Sequence, residues 1–246
     1  PDSNELISCH YFLLLQKRVA MNAQHLVFKS MLNKEYPFKM HGYIISPLAI
    51  ILAIVIFNYG WWGEHVWQYF LALRTAFPIG TSLFRIVSNL GNAFLDSIYM
   101  VIFLYSLYKK NSSGIRFALC FAIVGLFTML IVVQLMKYGL GMPRPFVAWP
   151  PSPWTSDRYA SFPSGHTTHV IISAIPLALL FRNKLISLCL SLLIACMGLS
   201  RLWLGFHHPV DIIGGIVVGS LAAWFIYTYA IYKPKVTNDD SIYDAM

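Results

Sequence analysis

KYGLGMPRP, at residues 137–145, is one of three short polar blocks in an otherwise apolar sequence. The other two are PSGH at 163–166 and SRLWLGFHHPVD at 200–211. Each block stands at the end of a long apolar run, a pattern that predicts membrane helices with polar ends. The sequence therefore predicts a bundle that brings the three blocks together at one end, where we expect the functional site.

The composition excludes an ordinary soluble domain. Hydrophobic residues make up 57% of the 246 positions, charged residues make up 11%, and the mean hydropathy is +0.61. A soluble domain carries about 25% charged residues. Apolar runs near the ~20 residues that cross a bilayer occur six times: 43–60, 91–108, 117–137, 165–181, 185–204 and 210–232. We predict an all-α integral membrane protein with six transmembrane helices.

The positive charge has a topological explanation. The formal net charge is +8. If both termini are cytoplasmic, twelve of the eighteen Lys and Arg residues fall in inner segments, as the positive-inside rule requires. Three of the remaining six belong to the polar blocks: Lys137, Arg144 and Arg201. We therefore expect no nucleic-acid partner, and we expect the polar blocks to face outward.

The chain predicts one membrane domain between two terminal segments. Residues 1–41 mix apolar clusters with Lys and Arg, which is typical of a helix on the inner membrane surface. Residues 42–233 hold the six helices, and 234–246 form a polar tail. The amphipathic stretch 64–90, interrupted at Pro78-Ile79-Gly80, predicts two short surface helices. The cysteines have no paired spacing and are expected to be free thiols: Cys9, Cys120, Cys189 and Cys196.

The first block carries two cations seven residues apart. Gly and Pro residues lie between Lys137 and Arg144, so an unbroken helix is not expected and the pair should fold over a site. The guanidinium fork of Arg suits phosphate oxygens, while Lys acts as a mobile point charge. The alternative is that both side chains extend to lipid headgroups.

The second block predicts an anion site at a helix start. Ser164 is a plausible N-cap, and Gly165 lets a ligand approach the backbone. Exposed N–H groups at a helix N-terminus favour an anion. His166 is then expected at the mouth of an anion pocket.

The third block joins two helix ends. Arg201 is expected at the end of the fifth span, and Pro209 favours a helix start close to itself. Asp211 could then reach back to His207, fixing its tautomer and leaving the other ring nitrogen free as a nucleophile. In the alternative interpretation Asp211 caps the helix and pairs with Arg201.

The three blocks resemble the signature of the type 2 phosphatidic acid phosphatase (PAP2) superfamily. They contain Lys137-x6-Arg144-Pro145, Pro163-Ser164-Gly165-His166 and Ser200-Arg201-x5-His207-x3-Asp211. Every signature position matches, and with the spans the resemblance covers roughly residues 43–232. It implies a six-helix PAP2-type bundle and a phosphatase that acts on a membrane lipid phosphate or pyrophosphate without a metal or other cofactor.

The resemblance also implies the role of each residue. His207 would form a phosphohistidine with Asp211 orienting its ring, and His166 would protonate the leaving oxygen. The phosphate would be bound by Lys137, Arg144, Ser164, Gly165 and Arg201. Since one histidine must be neutral and the other protonated, we expect a bell-shaped pH profile.

The segments PRPFVAW (143–149) and SRLWLGFHHPVD (200–211) are most similar to those of bacterial phosphatidylglycerophosphatase B or lipid A phosphatases. This implies a multi-pass protein of the bacterial inner membrane with its site facing the periplasm. Candidate substrates are phosphatidylglycerophosphate, undecaprenyl pyrophosphate, phosphatidic acid and lipid A phosphates. The alternatives are a lipid-to-lipid phosphotransferase using the same site, and a non-catalytic transporter or scaffold.

Three other polar residues, His169, Asp96 and His208, lie outside the signature positions. His169 follows His166 by three residues on nearly the same helical face, which allows a substrate contact. Asp96 is an acid at membrane depth, either functional or holding a neighbouring helix. His208 adjoins His207. The Pro- and Trp-rich loop between Arg144 and Pro163, together with 64–90, is expected to select the lipid.

Overall fold

The computed structural model describes residues 36–232, and these contain helices and turns but no strand. The predictions for 1–35 and 233–246 lie outside the described residues. The α-helices are α1 (Phe38–Tyr59), α2 (Glu64–Ala76), α3 (Pro78–Tyr108), α4 (Ser112–Phe127), α5 (Val133–Leu140), α6 (Gly165–Phe181), α7 (Lys184–Trp203) and α8 (Pro209–Ile226). A π-helical turn, Thr128–Val132, joins α4 to α5, and another, Tyr227–Ile231, ends α8.

The all-α membrane fold is confirmed, while the predicted count of six transmembrane helices is not exact. Among the described residues, five helices have the length and hydropathy to cross a membrane: Phe38–Tyr59, Pro78–Tyr108, Ser112–Leu140, Lys184–Trp203 and Pro209–Ile231. The remaining predicted span, 165–181, is α6, which is apolar but has only 17 residues. It packs against α3, α7 and α8, and almost all of its side chains are buried. Because protein rather than lipid surrounds it, its length need not match the bilayer.

The second span differs from its prediction. It begins at Pro78 rather than at residue 91 and continues for 31 residues. Only α2 forms as a separate short helix in the stretch 64–90, so the prediction of two surface helices is wrong. Pro78 occupies the first turn of α3, where the missing N–H removes no hydrogen bond. The predicted break at Pro78-Ile79-Gly80 is therefore present, but it is the start of a long helix and not a gap between two short ones.

Small residues hold α8 against α6. A Cβ atom on Gly215 would lie 2.9 Å from the Ser164 carbonyl oxygen, and one on Gly219 would lie 2.8 Å from that of Thr168. Only glycine permits this approach of the two backbones. The starts of both helices consequently meet, and the Ser164 N–H donates to the Asp211 carbonyl oxygen at 2.9 Å.

Candidate active site

The first block changes direction between its two cations. Helix α5 ends at Leu140, and Gly141 takes the left-handed conformation with φ +58°. Its N–H donates to the Lys137 carbonyl oxygen at 3.1 Å. Lys137 is thus on the last turn of a helix and Arg144 is in the following loop, as the glycines and prolines predict.

Arg144 is fixed by contacts within its own loop and with the loop between α7 and α8. Its Nε donates to the Asp157 carbonyl oxygen at 2.9 Å, and its Nη1 donates to that of Phe206 at 3.3 Å. Its backbone N–H donates to the Arg158 carbonyl oxygen at 2.9 Å. A guanidinium has five N–H donors, so others remain for an anion. Arg144 therefore ties the Pro- and Trp-rich loop to the third block.

Lys137 lies beside the start of α6. Its Cε would be 3.9 Å from a Cβ atom placed on Gly165. The same Cβ atom would lie 3.5 Å from Met129 Cε and 4.0 Å from Val133 Cγ1. The ammonium group of the first block and the backbone of the second are therefore neighbours, as an anion site requires.

Ser164 occupies the N-cap position but does not use its side chain as the cap. Its backbone is extended, and its Oγ accepts a hydrogen bond from Thr167 Oγ1 at 3.0 Å instead of one from the helix backbone. Ser164 is fully buried. The first turn of α6 consequently has no side-chain cap to compete with an anion at its N–H groups.

His166 is partly exposed on this first turn. Its ring has no hydrogen-bond partner among residues 36–232. It differs in this respect from His207, whose ring is held by other side chains. An imidazole without a partner at the edge of the site can exchange a proton with a bound group once the negative charge of an anion favours the protonated form.

The third block brings His207 and Asp211 together. Helix α8 begins at Pro209, as predicted, and His207 Nδ1 lies 3.4 Å from Asp211 Oδ2. Burial lowers the pKa of His207 to about 4, against the opposing effect of its hydrogen bond to Asp211. His207 is therefore neutral near pH 7. With a proton on Nδ1 facing the carboxylate, Nε2 carries the lone pair that a nucleophile needs.

Ser161 is a site residue that sequence analysis missed. It is fully buried, its Oγ donates to Asp211 Oδ2 at 2.6 Å, and it lies 3.5 Å from His207 Nδ1. The backbone N–H of His208 donates to the same Oδ2 at 2.8 Å. Asp211 thus orients His207 and also caps α8. The available signal was that Ser161 stands two residues before the PSGH block.

Arg201 does not take the partner that the alternative interpretation gave it. Within the described residues its Nη1 donates to Ser88 Oγ of α3, a second residue missed from the sequence, and it forms no ion pair with Asp211. Its guanidinium lies 4.5 Å above the ring of Phe206, and its Nε is buried without a partner. Arg201 is 6% exposed. An arginine buried with unused donors is suited to bind an anion.

An aromatic cleft adjoins the third block. It has a volume of about 470 Å³ and is lined by Trp62 and Trp67 on one side and by 145–149 on the other. The Trp62 ring stacks on His208 at 4.1 Å and meets Trp149 edge-on at 5.8 Å. Both segments expected to select the lipid contribute to the cleft. Their role in selection stays a prediction.

The chain is similar to known bacterial proteins. Residues 115–235 match the model of the PAP2 superfamily. Undecaprenyl-diphosphatase BcrC of Bacillus subtilis is 32% identical over 181 residues, 67% of this chain and 91% of that protein. Lipid A 4'-phosphatase of Porphyromonas gingivalis is 38% identical over 71 residues, 29% of this chain and 30% of that protein. Lipid A 1-phosphatase of Rhizobium johnstonii is 32% identical over 110 residues, 41% of this chain and 42% of that protein. No solved structure matches the chain significantly.

Proposed function

The chain belongs to the PAP2 superfamily and is a membrane phosphatase of lipid phosphates or diphosphates, and we propose that it acts through a phosphohistidine on His207. One observation carries this proposal. His207 is a buried, neutral imidazole whose Nδ1 faces the Asp211 carboxylate at 3.4 Å. That arrangement directs the Nε2 lone pair away from the carboxylate, toward a substrate.

Two displacements complete the reaction. His207 Nε2 attacks phosphorus, the bond between phosphorus and the leaving oxygen breaks, and His166 gives its proton to that oxygen. His166 then removes a proton from water, the water oxygen attacks the phosphohistidine, and inorganic phosphate leaves while His207 returns to its neutral form. Asp211 stabilises the positive charge that His207 develops in each step.

Three cations would hold the non-bridging oxygens. Lys137 lies beside Gly165, Arg144 is tied to the third block, and Arg201 is buried with an unpaired Nε. Together with the N–H groups at the start of α6 they supply the charge stabilisation that a transferring phosphoryl group requires. The proposed reaction needs no metal or cofactor, because this chain's own cations perform that task.

We take undecaprenyl diphosphate as the first substrate to test. The similar protein whose alignment covers 91% of its own length is an undecaprenyl-diphosphatase. Lipid A phosphates come second, supported by matches that cover shorter parts of lipid A phosphatases. The positive-inside distribution of Lys and Arg supports a site on the outer face of a bacterial inner membrane.

A phosphate-release assay tests the proposal. Purified protein in detergent is given undecaprenyl diphosphate, lipid A, phosphatidylglycerophosphate and phosphatidic acid, each with and without a chelator and vanadate. We expect inorganic phosphate from at least one lipid, inhibition by vanadate, and no effect of the chelator. His207→Ala should lose several orders of magnitude of activity, whereas His65→Ala, an exposed histidine of α2, should match the wild type.

Three outcomes would contradict the proposal. Activity that the chelator abolishes would show that the reaction needs a metal. Conversion of the lipid phosphate only after a second lipid is added would indicate a phosphotransferase. Acid-labile phosphate trapped on residue 207 during turnover would support the covalent intermediate directly. Wild-type activity in His207→Ala would refute the nucleophile.

A further inference from the structure

Asp96 and His169 form a pair that the reaction described above does not use. Asp96 Oδ1 of α3 lies 3.0 Å from His169 Nε2 of α6. The side chains are 44% and 25% exposed, so the pair borders open space. Both residues belong to apolar membrane helices, where an acid is costly and by default marks a functional site.

The pair lies just below the phosphate site. His169 follows His166 by three residues, about 4.5 Å further along the helix axis and on nearly the same face. Asp96 is the third member of a polar stripe on α3 that begins at Ser88, the partner of Arg201. Asn92, between them, has a buried side-chain oxygen without a partner in the described part of the chain. Polar groups therefore continue from the phosphate-binding cations toward the bilayer interior.

The chemistry of the pair suits a second anion. Asp96 Oδ1 accepts a hydrogen bond from His169 Nε2, while His169 Nδ1 has no hydrogen-bond partner among residues 36–232. When both ring nitrogens carry a proton, Nε2–H donates to Asp96 and Nδ1–H is a donor to an anion.

The position of His169 identifies which anion. In the proposed reaction the outer phosphate lies at His207, and the oxygen that leaves receives its proton from His166. In a lipid diphosphate that oxygen remains on the inner phosphate, which lies next toward the bilayer. In a lipid phosphate monoester the same place is taken by carbon.

We propose that the Asp96–His169 pair binds the inner phosphate of a lipid diphosphate and so favours diphosphates over phosphate monoesters. The inference rests on the proposed function, because it takes the direction of the substrate from His207 and His166. His169 donates to the inner phosphate, and Asp96 orients the His169 ring through the 3.0 Å contact with Nε2.

A matched pair of inhibitors compares the binding of a diphosphate with that of a monophosphate while one substrate reports the activity. Inhibition constants are measured for a prenyl methylenediphosphonate and for the prenyl monophosphonate of the same chain length, using a lipid phosphate that the wild type cleaves. A hydrogen bond to a charged group corresponds to about 10- to 100-fold in binding. We expect His169→Ala to weaken the diphosphonate at least about tenfold more than the monophosphonate. Asp96→Asn should act in the same direction.

The controls separate this inference from the function on which it rests. Ser97→Ala changes the exposed neighbour of Asp96 and should leave the ratio of the two constants unchanged. Equal weakening of both inhibitors, or no change in either, would overturn the inference while leaving the phosphatase intact. Wild-type protein that releases phosphate from no lipid would instead refute the proposed function. If His169→Ala does not fold, the ratio in Asp96→Asn decides.

Discussion

Removing the Ser161 hydroxyl should impair the nucleophile without touching the substrate. Ser161 Oγ donates to Asp211 Oδ2 at 2.6 Å, and both residues are fully buried. Without it, Asp211 Oδ2 keeps the His208 N–H at 2.8 Å and the longer 3.4 Å contact with His207 Nδ1. The carboxylate already has one buried oxygen, Oδ1, without a partner in the described residues. Removing the Ser161 hydrogen bond therefore weakens the positioning of Asp211, the group that orients His207.

The size of the effect follows from the charge of the acceptor. A hydrogen bond to a charged group contributes about 1.5–3 kcal/mol. If about 2 kcal/mol of this is lost in the transition state, kcat falls about 30-fold. KM should change little, because in the described residues Ser161 forms no hydrogen bond with Lys137, Arg144 or Arg201.

Steady-state kinetics of Ser161→Ala beside Ser191→Ala provide the measurement. Ser191 is also buried, but its Oγ donates to a neutral acceptor, the Ile44 carbonyl oxygen, at 2.8 Å. Its loss should cost about 1 kcal/mol of unfolding free energy and leave kcat unchanged. If Ser161→Ala keeps kcat within about twofold of wild type, or loses no more kcat than Ser191→Ala does, the orienting role is refuted.

Three further predictions concern other parts of the site. Because burial lowers the pKa of His207 to about 4, its neutral, nucleophilic form persists down to that pH. Below pH 4, kcat/KM should fall about tenfold per pH unit. A plateau of kcat/KM that ends near the ordinary histidine pKa would contradict this role of burial. Gly141→Ala would place a Cβ against the backbone of Ser152 and Pro153 at φ +58°; the melting temperature and kcat/KM should both fall, whereas Gly42→Ala, which meets nothing within 4 Å, should lose neither. Ser88→Ala removes the partner of Arg201 Nη1 and should lower kcat/KM about tenfold. Ser106 is a buried serine of the same helix, and an equal loss in Ser106→Ala would show that the effect is not specific to Arg201.

The local features of the site could be predicted from the sequence because each depends on neighbours in the chain. Gly141 stops α5 between Lys137 and Arg144, and Pro209 starts α8 so that Asp211 reaches His207. Residue type and spacing decide such features within one or two helical turns. The free thiols of Cys120, Cys189 and Cys196 are also confirmed, and Cys9 lies outside the described residues.

The long-range contacts could not be predicted in the same way. Ser161 and Asp211 are 50 residues apart, and Ser88 and Arg201 are 113 apart. A serine before a helix has many possible partners, and only the packing of α6 on α8 selects one. The length of α3 could not be predicted for a different reason. Pro78 is compatible with either the end of one helix or the start of the next.

The geometry also divides phosphate binding from substrate selection. In the proposed reaction the cations and the start of α6 surround one phosphoryl group, and that arrangement does not distinguish a substrate phosphate from the inorganic phosphate released at the end. Preorganised charges bind both, so selection requires contacts beyond the phosphoryl group. The structure offers two such places. The aromatic cleft is lined in part by His208, and the Asp96–His169 pair lies one helical turn beyond His166, where we propose that the inner phosphate of a lipid diphosphate binds.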